Sequence, residues 1–123
     1  MRKIVYISGP ISAEHAVDVA QNIHKFDMME NILMKSGYAP INPASDWNAC
    51  KLGGVTREMF METDEAMVKV SDYVFALPGC SDSPGAQQEH EWAREVDVPI
   101  VHSLDELHNL LEDDWIAELV PNA

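Results

Sequence analysis

Hydrophobic and polar positions change period several times along the chain, and each change marks an element. Lys3 to Ser8 is β-branched and aromatic, reads as a strand and is broken by Gly9-Pro10. Val19, Ile23, Phe26, Met29 and Leu33 then recur at helical spacing, predicting a long helix from about Ala13 to Lys35. Ser12 is its expected N-cap and Gly37 its stop. Tyr38 to Ile41 is a short second strand ended by Asn42-Pro43. Residues 44–55, with Asp46, Trp47 and Gly53-Gly54, form a loop longer than the usual connection of about 4–6 residues, and it is the expected lid.

Thr56 caps a second helix running to about Val70, and Asp72 to Leu77 is a third strand closed by Pro78-Gly79. The polar loop Cys80–Gly85 leads to a third helix over about Ala86–Val96, and Val98–His102 is a fourth strand. Ser103 with Glu106 three residues on is a capping box. It opens a last acidic helix with Leu107, Leu111, Trp115 and Leu119 on one side.

The order βαβαβαβα predicts a single-domain α/β fold: a doubly wound parallel sheet with helices on both faces. Right-handed crossovers give strand order 2-1-3-4. Ligands in such sheets bind at the carboxyl ends of the strands where the order reverses, which places the site at Ser8–Ser12 and Pro78–Gly85.

With 123 residues the chain suits one domain. Eight basic residues against 21 acidic ones give a net charge of −13. That charge counts against a nucleic-acid backbone or an anionic membrane as partner. No apolar run reaches the roughly 18 residues of a membrane span. Cys50 and Cys80 lie far apart without metal-ligand spacing and read as reduced thiols of a cytoplasmic protein. The five histidines show no metal grouping, so neither metal nor other cofactor is expected. His90-Glu91 begins like a zinc motif, but Arg94 stands where its second histidine belongs.

Two carboxylates fall on apolar helix faces. Glu89 shares a stripe with Ala86, Ala93 and Val96, and Asp64 one with Phe60 and Met67. Burying a carboxylate is costly unless it is paired or hydrogen-bonded, so two beside one predicted crevice suggest a site. Tyr6 on the first strand points to one face by alternation. The segment Ser8-Gly9-Pro10-Ile11-Ser12 joins strand to helix, where backbone amides can hold an anion or sugar hydroxyls. Ser83-Pro84-Gly85 is a second amide cradle. The chain has no GxGxxG and no GxxxxGK[ST], so the usual dinucleotide and triphosphate cradles are not indicated.

These residues resemble the nucleoside 2-deoxyribosyltransferase superfamily, and within it the short deoxyribosyltransferase-like proteins of unknown function from bacteria and bacteriophages. The likeness rests on Ile4–Ile11, on Asp64 with Asp72 and the strand Tyr73–Leu77, and on Ser83–Glu89 with Ala93 four residues further on. Asn42-Pro43 also fits. The family contains transferases that exchange bases between deoxynucleosides and hydrolases of deoxynucleoside 5′-monophosphates. The resemblance implies that Glu89 is the catalytic glutamate, that Asp64 contacts or protonates the departing base, and that Tyr6 orients the glutamate. It puts Gly9, Ile11 and Ser83 around the sugar and its 5′ end. It also implies a homodimer or larger homo-oligomer.

The chain departs from the family in places. Gly-Pro replaces Gly-Ser, and Gln87 stands where glycine is common. Ser12 occupies the position of an arginine in the monophosphate hydrolases, which together with the net charge counts against recognition of a 5′-phosphate.

The resulting expectation is an enzyme acting at the N-glycosidic bond of a nucleoside or nucleotide. Glu89, Asp64 and Tyr6 would be catalytic; Ser8, Gly9, Pro10, Ile11, Ser12, Asp46, Trp47, Ser83 and Gly85 would bind substrate. Trp47 or Phe60 would stack on the base. Three other readings remain at this point: a non-catalytic nucleotide-binding module, hydrolysis of another N-glycoside such as an NAD-like dinucleotide, and an acidic interaction protein docking through its last helix.

Overall fold

The computed structural model describes residues 1–46, 50 and 52–119. Its strands are β1 (Ile4–Ser8), β2 (Ala39–Ile41), β3 (Tyr73–Ala76) and β4 (Ile100–Val101). Its long helices are α1 (Ala16–Lys35), α2 (Arg57–Val70), α3 (Pro84–Glu95) and α4 (Leu104–Leu119). Short 3-10 turns cover Pro43–Asp46 and Cys80–Asp82. All strand pairs are parallel and the order is β2-β1-β3-β4, as the element order predicts. The register sets Tyr6 beside Ile41 and Val74, and Ser8 beside Ala76.

Both faces of the sheet are covered, so Val5 to Ser8 are wholly buried. Alternation divides them. Val5, Ile7, Tyr73 and Phe75 pack with Phe26 and Leu33 of α1 and Leu107 of α4. Tyr6 and Val74 face the other way, against Val68 of α2 and Trp92 and Ala93 of α3. A parallel sheet requires α2 and α3 to run back against the strands. Both helices therefore begin at the carboxyl edge of the sheet.

Local signals account for most element ends. The Thr56 side chain accepts from the Met59 amide at 3.1 Å and starts α2. Ser103 accepts from the Glu106 amide at 3.1 Å, while Glu106 reaches back to the His102 amide at 3.0 Å. Gly37 takes a φ of +96° after α1, a conformation glycine adopts without strain. Asp72 accepts from the Ile4 amide at 2.7 Å and ties the start of β1 to that of β3.

Three expectations are corrected. Helix α1 starts at Ala16, with His15 rather than Ser12 preceding it, because residues 9–15 are spent turning the chain past the end of β1. Helix α3 starts two residues early, since Pro84 suits the first helical position, and it ends at Glu95, which leaves Val96 exposed. The stripe of α4 packs only at its beginning. Leu107 is buried and Leu111 half-buried, but Trp115 and Leu119 are exposed. Among the described residues no helix is long and apolar enough to cross a membrane.

Candidate active site

Strand β1 supplies two hydroxyls to one carboxyl. Tyr6 and Ser8 lie on the same face, two residues apart. The Tyr6 hydroxyl donates to Oε2 of Glu89, and Ser8 Oγ donates to Oε1 at 2.8 Å. Glu89 is 8% exposed. Burial pushes its carboxyl up to about 7, against the two hydrogen bonds, which favour the charged form; nearby Asp64 raises it further. Burial, with Glu89 and Asp64 beside it, raises the Tyr6 phenol as well, so it stays a donor.

Asp64 reaches the same place from α2, which packs against α3. It is 7% exposed, and its Oδ1 is buried without a hydrogen-bond partner. Burial pushes its carboxyl up to about 7, with Asp46 adding to the rise. A protonated carboxyl there is a proton donor at neutral pH, and an ionised one is an open acceptor.

A cavity of about 650 Å³ opens above these groups. Gly9, Ile11 and Ser12 line it from the turn after β1, and Ser83, Pro84 and Gly85 from the start of α3. Asp64 and Glu89 lie on its walls. This is the carboxyl edge beside the reversal of strand order, as fold class alone predicted. The volume lies within the range usual for small-molecule sites.

Other expected residues sit elsewhere. Ser8 does not line the cavity; it is wholly buried and its hydroxyl is committed to Glu89. Pro10 also lies outside the lining, and a Cβ on Gly79 would meet its ring at 3.3 Å, so it closes the two strand-end turns against each other. Asp46 lies outside the lining too, acting on Asp64 and Tyr6 only through its charge. Trp47, with Asn48, Ala49 and Lys51 of the expected lid, falls outside the described residues. Ser83 lines the cavity while its side chain caps α3, accepting from the Ala86 amide at 3.2 Å.

The sequence reading missed several lining residues. Arg57, Phe60, Met61 and Asp64 are spaced 3, 1 and 3 and form one stripe of α2; of the first three the sequence singles out only Phe60. On α3, Gly85, Gln88, Glu89 and Trp92 repeat that spacing. Projecting the helical period outward from Asp64 and from Glu89 would have found them. Among the described residues no three His, Cys, Asp or Glu side chains converge in the way a metal ion needs.

The molecule is thus a doubly wound α/β domain with two buried carboxyl groups at one cavity. The chain belongs to the DUF4406 family, a domain of unknown function, which it matches over residues 3–102. No curated protein matches it. Among solved structures it is similar to the solution structure of BlsM, with a TM-score of 0.60 and 19% identity over 88% of this chain and 69% of that one. At that identity the likeness is one of fold.

Proposed function

We propose that the protein cleaves or transfers at the N-glycosidic bond of a nucleoside, 2′-deoxynucleoside or nucleoside 5′-monophosphate, as the resemblance to nucleoside 2-deoxyribosyltransferases implies. One observation carries this reading. Glu89 is held at both oxygens by β1 on the wall of a nucleoside-sized cavity, and Asp64 lines the same cavity with an unpartnered oxygen.

In this reading a Glu89 oxygen attacks C1′ as the bond from C1′ to the base nitrogen breaks. Asp64 gives its proton to the departing base. Water or a second base then attacks C1′ and releases Glu89, and Asp64 recovers its proton from the attacking group. Sharing the work between two carboxyl groups is the logic of retaining glycosidases. The raised pKa of Asp64 suits the acid role, and the two donors on Glu89 hold its ionised form in line. Phe60 and Trp92 offer aromatic surface to the base. No cofactor takes part. A reducing cytoplasmic setting and a homo-oligomer complete the proposal; Cys50 and Cys80 are free thiols.

The test is chromatography of free base released from deoxynucleosides, their 5′-monophosphates and NAD, with and without an added acceptor base. Release that falls about a thousandfold or more in Glu89→Gln is the expected result. Acceptor dependence separates transferase from hydrolase. A folded protein that releases base from none of these substrates overturns the enzymatic reading in favour of a binding module.

A further inference from the structure

The walls of the cavity are acidic, but its rim carries a cation. Arg57 is the one basic side chain lining it among the described residues. It is exposed and makes no ion pair among the described residues. Its position is electrostatically unfavourable for the helix. Arg57 is the first residue of α2, at the positive end of the helix dipole, where cations are disfavoured. An anion in the cavity would reverse that penalty. The start of α3 lines the same rim through Ser83 and Gly85, so a second helix dipole points its positive end there.

The other end of the same stripe has the opposite demand. Asp64 is more than nine-tenths buried, lines the cavity and leaves Oδ1 unpartnered. That oxygen calls for a donor on a ligand. Arg57 and Asp64 stand two turns apart on α2, about 10 Å along its axis. Glu89 faces them from α3. A ligand matching this wall carries a hydrogen-bond donor at one end and an anion at the other. A nucleoside 5′-monophosphate has that polarity, with base N–H groups at one end, phosphate at the other and the glycosidic carbon between.

We propose that the cavity selects the 5′-monophosphate over the free nucleoside, with Arg57 as the residue that binds the phosphate. This rests on the N-glycoside reading above and decides its substrate class. Ser12 had counted against a phosphate because the arginine of the monophosphate hydrolases is missing there. The cation comes instead from α2.

The test is calorimetric titration of the full chain with each deoxynucleoside, its 5′-monophosphate and its 3′-monophosphate, at low and high salt. The 5′-monophosphate is expected to bind about tenfold or more tightly than the nucleoside, as a charge-assisted contact does, and the 3′ isomer to gain nothing comparable. Salt should shrink the advantage, since Arg57 is exposed. Arg57→Gln should erase the advantage of the 5′-monophosphate over the nucleoside, and Arg57→Lys should restore part of it. Equal affinity for nucleoside and 5′-monophosphate, or a preference that survives Arg57→Gln, overturns the proposal. Glu89-dependent base release at equal rates from both substrates overturns this proposal alone. Failure to bind or cleave any nucleoside or nucleotide overturns the parent reading with it.

Discussion

Ser8 donates to Oε1 of Glu89 at 2.8 Å, so both oxygens of that carboxyl are engaged by side chains of β1. Ser8 is thereby a positioning residue and not a contact to substrate. Its hydrogen bond also lowers the Glu89 pKa against the larger effect of burial. Ser8→Ala should therefore move Glu89 further up from about 7. Activity that depends on ionised Glu89 rises with pH, and in Ser8→Ala its acid limb should shift to higher pH. The rate at neutral pH should fall about tenfold, with KM little changed. A pH–rate profile of both proteins checks this; an unmoved limb would show the hydroxyl to be only structural.

The two raised carboxyl groups also make stability depend on pH. Asp64 and Glu89 both titrate near 7 in the folded chain, above the values near 4 of an unfolded one. The folded state holds their protons longer. Their contribution is complete below the unfolded values and is lost as pH rises through about 7. Melting temperature should fall between about pH 4 and pH 7 and level off above that. Asp64→Asn should flatten that fall and raise the melting temperature near pH 8 by about 3–5 °C, or about 1 kcal/mol. Thermal melts across this range decide the matter.

Gly9 is held by lack of space. A Cβ there would meet Leu77 Cβ at 3.0 Å and Phe26 Cζ at 3.4 Å. Gly9→Ala should cost about 1–3 kcal/mol in urea unfolding, as overpacking does. Leu77→Ala in the same chain keeps that Cβ but removes Cδ1, which the new methyl would meet at 3.1 Å, so it should recover only part of the loss and give a non-additive double-mutant cycle.

The cysteines should separate cleanly under alkylation. Cys80 is buried, donates to the Leu77 carbonyl at 2.8 Å, and burial pushes its thiol up. Cys50 is half-buried. Iodoacetamide on the native protein should modify Cys50 first, and Cys80 only after denaturation, as peptide mass spectrometry would show.

Sheet order and layers were legible because β-branched runs, capping residues and turn residues agreed with one another along the chain. Asp64 and Glu89 were legible because each is polar at an apolar helical position. The role of Ser8 was not. A serine ending a strand reads as part of a turn, and only the packing of α3 shows that its hydroxyl meets a carboxyl. Arg57 was hidden for a similar reason. An arginine after an N-cap reads as a solvated surface residue until α2 is set beside α3. Loop position alone makes Pro10 and Asp46 contact residues, but it does not say on which side of the loop a side chain falls. The end of α4 misled in the other direction, since helical period marks a stripe but not what covers it.

The bond pair on Glu89 depends on the parity of one strand. Tyr6 and Ser8 face α3 because they are even positions of β1, while Val5 and Ile7 face α1 and α4. Slipping β1 by a single residue would exchange the two sets and put aliphatic carbon where the hydroxyls stand. The chain thus has no way to pair its central strand wrongly and keep its carboxyl oriented. Assembly of the site is the same folding event as zipping the sheet, so a titration of Glu89 doubles as a report on whether the centre of the sheet has formed in register.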